Sequence, residues 1–83
     1  MENMSEEELK ILLAIKCSNH NECDFPTLVR ILDLNEKKIK YYLNKLTYVR
    51  NYLFWIGDMN PDVPDRYRLK REGSEFLARG GYV

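Results

Sequence analysis

Eighty-three residues, 45 % hydrophobic and 31 % charged, suffice for one soluble domain with a modest core and leave no room for a second. Thirteen basic residues balance thirteen acidic ones, so the molecule as a whole is no electrostatic magnet for nucleic acid, and no apolar run approaches the length that spans a bilayer. The opening stretch MENMSEEELK is acidic where a secretory signal would be basic and then apolar, which makes the cytoplasm the expected location.

The charge is unevenly spread. Residues 1–24 carry six acids against two bases, residues 25–50 carry six bases against two acids, and the remainder balances. A basic middle on a neutral chain is the pattern of a local polyanion-binding face. Cys17, His20 and Cys23 fall as C-x2-H-x2-C, which offers three metal ligands with only Asp24 nearby as a fourth. A structural zinc site wants four, normally as paired short-spaced motifs, so no metal is assigned and the cysteines are expected to be reduced.

Along the chain, Ser5-Glu6-Glu7-Glu8 is a capping-box sequence. The Ser5 hydroxyl is placed to accept from the Glu8 N–H and the Glu8 carboxylate to reach back, and Met4 and Leu9 are spaced for a hydrophobic staple. The helix so started runs to about residue 18, with Leu9, Ile11, Leu12, Leu13, Ile15 and Cys17 covering more of its circumference than one buried stripe requires. Residues 18–22 are polar and turn-rich. Pro26 suits the first turn of a short second helix over 26–33, in which Leu28, Ile31 and Leu32 share a face. Asp33-Leu34-Asn35 is then a tight connection, with Leu34 expected to plug the core and Asn35 to cap a third helix.

That third helix, residues 35–50, holds the chemistry. Ile39, Tyr42, Leu43, Leu46 and Val49 recur at the three- and four-residue spacing of a buried face, while Lys37, Lys40, Tyr41, Asn44 and Tyr48 point away from it and Lys38 and Lys45 flank them. Lysine, tyrosine and asparagine can meet phosphates or base edges; a solvated lysine-rich face is the plainer alternative. Asn51 is placed to end the helix in the left-handed conformation. Residues 52–56 (YLFWI) read as a strand, 57–65 as a nine-residue turn, 66–70 (RYRLK) as a half-buried second strand, and 71–79 as a last helix with Phe76 and Leu77 inward, stopped by Gly80 before a short tail. The fold class expected is mainly α with a small β-hairpin, as one domain over 1–83.

Helix, short helix, tight turn, polar-faced third helix and hairpin together resemble the winged helix-turn-helix superfamily over almost the whole chain. Two stretches carry the resemblance: F25-P-T-L-V-R-I-L-D-L-N-E-K-K-I-K-Y-Y-L-N-K-L46, with Leu28, Leu32, Leu34, Ile39, Leu43 and Leu46 at the apolar positions, and Y67-R-L-K-R-E-G73-S-E-F-L77, similar to a second wing strand entering a further helix. The resemblance implies three helices, a two-stranded wing and a short C-terminal helix. It also implies sequence-specific binding of double-stranded DNA by a small transcriptional regulator, with the third helix in the major groove. Mapped onto this sequence, Lys37, Lys38 and Lys45 would meet phosphates, Lys40 and Asn44 base edges, Tyr41 either, and Arg66 and Arg68 would serve the wing.

A homodimer is expected, because one such helix reads only a few base pairs; its surface would draw on the first helix and on Trp55, Phe76 or Tyr82. The wing tip, however, carries Asp58, Asp62 and Asp65 and no base, and tyrosine is enriched in protein interfaces. A protein-interaction module with the same fold, docking a partner through the Tyr41/Tyr48 face or the aromatic hairpin, is therefore the alternative. Catalysis is not expected: His20 lies in a polar turn, Ser5, Ser18 and Ser74 have local explanations, and a glycine-rich phosphate loop is lacking. No cofactor is assigned.

Overall fold

Local signals start and stop most of the elements. A computed structural model describes residues 4–80; the tail that includes Tyr82 lies outside them. The order is α1 (Glu6–Lys16), a 3₁₀ turn (Asn19–Asn21), β1 (Glu22–Asp24), α2 (Phe25–Leu32), α3 (Glu36–Asn44) continued by a π turn (Lys45–Val49), β2 (Leu53–Ile56), β3 (Arg66–Leu69) and α4 (Arg71–Ala78). It is a small α+β protein in which four helices pack on a three-stranded antiparallel sheet of order β1-β3-β2.

Ser5 caps α1 as its sequence predicts, accepting from the Glu8 N–H at 3.2 Å. The return half of the box is different. Glu8, only 1 % exposed, takes the Ser5 hydroxyl at 3.2 Å, Arg50 Nε at 2.9 Å and Lys45 Nζ at 3.6 Å, instead of the Ser5 main chain. The side chain that opens α1 thereby holds the far end of α3. Asp24 caps α2 by accepting from the Thr27 N–H at 2.8 Å, and Pro26 falls in the first turn as expected. Asp33 ends α2 in the left-handed conformation (φ 51°), and Asn35 caps α3 through the Lys37 N–H at 2.8 Å.

The third helix changes pitch before it stops. Arg50 N–H donates to the Lys45 carbonyl at 2.9 Å, the five-residue spacing of a π turn. More residues per turn delay every later position on the wheel. Thr47 therefore rotates into the core, its hydroxyl donating to the Leu43 carbonyl at 2.7 Å, and Val49, expected inward, is 74 % exposed. Asn51 then takes φ 62°, the left-handed terminus its identity suggested.

One strand was not anticipated. Glu22-Cys23-Asp24 pairs with Arg68-Tyr67-Arg66, so the hairpin gains a third strand and β3 becomes the centre of the sheet. Three residues flanked by turn chemistry are too short to declare a period, but both partners alternate charge, apolar, charge. Cys23 and Tyr67 face the core and Glu22 faces Arg68 on the outside. The core itself gathers Ile11, Leu12 and Ile15 of α1, Leu28 of α2, Ile39, Leu43 and Leu46 of the third helix, Leu53, Tyr67 and Leu69 of the sheet, and Phe76 of α4. Ile31, expected to share the buried face of α2, is exposed, while Leu34 packs against the core as expected.

Two glycines permit close approaches. A Cβ on Gly73 would stand 2.7 Å from both the Tyr52 carbonyl oxygen and Leu69 Cδ1, so glycine lets α4 lie against the start of β2 while Phe76 stacks on Tyr52 at 4.9 Å. A Cβ on Gly57 would stand 2.4 Å from the Trp55 ring, so glycine there seats the indole.

Candidate functional site

The candidate surface is the side of α3 that the core does not use. Lys37, Tyr41, Asn44 and Tyr48 follow one another at helical spacing and are all exposed. Among the described residues Lys37 makes no ion pair. Tyr41 lies edge-on to Tyr42 at 5.3 Å, and the Tyr42 hydroxyl donates to Glu7 at 3.2 Å, which ties that flank to α1.

The remaining cations expected at this site are committed elsewhere. Lys40 turns toward the sheet, where its ammonium lies 3.3 Å from Asp65 Oδ2 and 3.4 Å from the Tyr67 hydroxyl, 5.4 Å from the centre of the Phe25 ring. Burial works against that charge, but donation to Tyr67 and to Asp65 outweighs it and holds the amine above the ordinary lysine value. Burial likewise pushes the Tyr67 phenol up, against the pull of Lys40. Lys40 thus fastens the base of the hairpin to α3 instead of standing in the middle of the outer face. Lys38 leans toward Glu7 at 3.9 Å and Lys45 toward Glu8 at 3.6 Å, both on the α1 side.

Arg66 and Arg68 occupy the outer face of the sheet, where both bind Glu22: Arg66 Nη1 at 2.9 Å, Arg68 Nη2 at 2.8 Å. The bond from Arg68 is the main reason the Glu22 carboxyl is held below its usual value. The hairpin tip is closed by its own acids and amides, Asp58 accepting from the Asn60 N–H at 2.8 Å and Asn60 from the Asp62 N–H at 3.0 Å. Of the eight residues expected to bind DNA, Lys37, Tyr41 and Asn44 are brought together on one open face. Lys38 and Lys45 border it, and Lys40, Arg66 and Arg68 are turned into ion pairs.

Apolar residues complete the surface in a way the sequence did not announce. Tyr41, Asn44, Lys45, Tyr48 and Val49 line a shallow groove of about 340 Å³, exposed because the π turn swings Val49 outward. A second groove of about 260 Å³ begins at Tyr48 and runs along β2 past Asn51, Phe54, Trp55 and Lys70. Phe76, expected at a dimer surface, is fully buried and takes no part.

Chemistry elsewhere is sparse. Cys17 and Cys23 border a polar groove of about 430 Å³ with Glu22, Asp24 and Arg66. Cys17 is exposed, whereas Cys23 is buried and its thiol is pushed up by that burial. Among the described residues no three His, Cys, Asp or Glu side chains are grouped to hold a metal, and no helix is long and apolar enough to cross a membrane. Comparison with protein-family models, with curated proteins and with solved structures finds no match.

Proposed function

We propose that this chain is a winged-helix DNA-binding domain of a small transcriptional regulator, which lays α3 in the major groove and reads with Lys37, Tyr41 and Asn44. The observation that carries the reading is the juxtaposition of those three side chains on the open face of α3, which follows α2 after three residues and leads into the β2–β3 hairpin. Asn44 has the donor–acceptor pair that matches an adenine edge, Lys37 stands in the first turn of α3 where phosphate is met, and Tyr41 lies between them. Lys38 joins at small cost, because a half-exposed ion pair such as that with Glu7 is worth at most about 1 kcal/mol and can be exchanged for a phosphate. Lys40 acts indirectly in this reading, by fixing the hairpin against the helix.

A binding isotherm on labelled mixed-sequence duplex, followed by selection from random duplexes, tests the reading. With few free cations, binding should be measurable at about 50 mM salt and fall with a slope of roughly 0.9 per phosphate engaged, and Lys37→Ala should lower that slope by about one. Absence of binding at low salt would defeat it. The apolar groove between Tyr41 and Val49 and the neutralised arginines favour a second reading, a winged-helix module whose α3 face docks a protein. That reading becomes the better one if duplex DNA fails to bind.

A further inference from the structure

We propose that the aromatic surface running from α3 to β2 binds unpaired DNA, stacking single-stranded bases on Tyr41, Tyr48 and Trp55. Tyr48 and Trp55 have no part in the duplex reading above. Only the choice of DNA over RNA rests on that reading, because Tyr41 and Asn44 are common to both surfaces.

Two shallow grooves meet at Tyr48. The first lies between Tyr41 and Val49 on α3, and the second passes from Tyr48 along β2 to Trp55, with Phe54 and Lys70 on its borders. Tyr41 is 62 % exposed, Tyr48 71 % and Trp55 45 %. Tyr41 and Tyr48 are seven positions apart, which at about 1.5 Å per residue sets them about 10 Å apart along the helix, so neither ring covers the other. The Trp55 ring packs where a Cβ on Gly57 would stand, 2.4 Å away, and is therefore held in place before any ligand arrives.

What surrounds the rings selects a base over the side chain of a peptide. Among the described residues no carboxylate lines either groove. Asn44, between Tyr41 and Tyr48 on α3, carries the paired donor and acceptor that a base edge matches. Lys37 and Lys70 stand at the two ends and make no ion pair among the described residues. Lys70 donates to the neutral Asn51 amide at 2.6 Å, and Glu72, which accepts from that amide at 3.4 Å, stays outside the groove. Lys45, on the wall of the first groove, is already held by Glu8. Flat rings, an amide and two separated cations suit a single strand, which offers π-faces that every base possesses and phosphates at intervals. In a duplex those faces are covered by neighbouring bases, and only edges and backbone remain for a ring to touch. An acidic peptide, the other partner that lysines attract, would find Val49 as the one aliphatic wall of the first groove.

Trp55 is the only tryptophan of the chain, so its emission reports on the site directly. Titration of the full chain with an oligothymidylate of about ten nucleotides should quench it, with a dissociation constant on the order of 10–100 μM. Phosphates engaged by Lys37 and Lys70 give a slope of roughly 1.4 for log affinity against log salt, and Lys70→Ala should lower that slope by about 0.7. Tyr48→Ala should weaken binding by at least about fivefold, the lower bound for one stacked base, whereas Ile31→Ala, exposed on α2 and lining neither groove, should leave it unchanged. Tyr48 is exposed, so its variant should fold, with unchanged circular dichroism as the check. Trp55→Ala, followed by the anisotropy of a labelled strand, should weaken binding to a similar degree. No quenching up to about 1 mM strand, or affinity indifferent to Tyr48→Ala, would overturn the proposal, and tighter binding of an oligouridylate of equal length would overturn the assignment to DNA. Duplex binding without single-strand binding would sink it and leave the duplex reading standing; the reverse pattern would support it and defeat that reading.

Discussion

Replacing Glu8 by alanine should destabilise the protein by about 3 kcal/mol, although Glu8 lies in the first turn of a helix, where most side chains are dispensable. The magnitude follows from its surroundings. The Glu8 carboxylate is 1 % exposed and receives Arg50 at 2.9 Å, Lys45 at 3.6 Å and the Ser5 hydroxyl at 3.2 Å. Removing one partner of a buried pair costs about 3–5 kcal/mol because the other charge is left uncompensated. The lower end applies because the Lys45 side chain, 28 % exposed, can turn to water, whereas that of Arg50, 14 % exposed, is held closer to the core. Against a total stability of about 4–12 kcal/mol for a chain of this length, the variant should melt about 12–24 °C lower. Urea titration followed by circular dichroism gives the number. Glu8→Ala with Arg50→Ala should cost clearly less than the two singles summed, since each single already forfeits the shared bond. A loss under about 0.5 kcal/mol, or strict additivity, would refute the idea that this ion cluster fastens α1 to the end of α3.

Other outcomes follow from single contacts. Gly73→Ala should lose about 1–3 kcal/mol in thermal denaturation despite a helix-propensity gain of about 1 kcal/mol, because the new methyl meets the Tyr52 carbonyl at 2.7 Å. Glu22 has a folded-state pKa below its unfolded value, so its contribution to stability is complete above the ordinary carboxylate range and is lost as pH falls through the lowered value. The carboxyl-carbon shift of Glu22 should titrate below the ordinary glutamate range and return toward it in Arg68→Ala, the replacement that removes its main partner. Of the two thiols, exposed Cys17 should react with a disulfide reagent in the native protein, and buried Cys23 only as the protein unfolds.

Much of this fold was legible because local chemistry and the global arrangement agree. Ser5, Pro26, Asn35 and Asn51 each mark a boundary by a mechanism that needs no tertiary contact, and the apolar spacing of Ile39, Leu43 and Leu46 suffices to orient α3. What the sequence concealed depends on pairing across distance. β1 exists because β3 offers it an edge and Glu22 can satisfy two arginines, neither of which a window of three residues reveals. The π turn, and with it the exposure of Val49, follows from Thr47 packing inward, a choice that α-helical spacing does not encode.

The candidate site was readable in outline only. Helical geometry correctly set Lys37, Tyr41, Asn44 and Tyr48 on the outside, but it counts a lysine as outward whenever it is off the core. The partners of Lys40, Asp65 and Tyr67, lie 25 and 27 residues further on. Residue type alone likewise made Arg66 and Arg68 available, where Glu22, over forty residues earlier, already holds them.

The most direct test of the DNA-reading surface is an amide chemical-shift titration of the labelled chain with short mixed-sequence duplex at low salt. Shifts should concentrate on Lys37, Tyr41, Asn44 and their α3 neighbours, extend to the β2–β3 hairpin and be reversed by added salt. Shifts confined to β1 and α2, or none at saturating duplex, would contradict it.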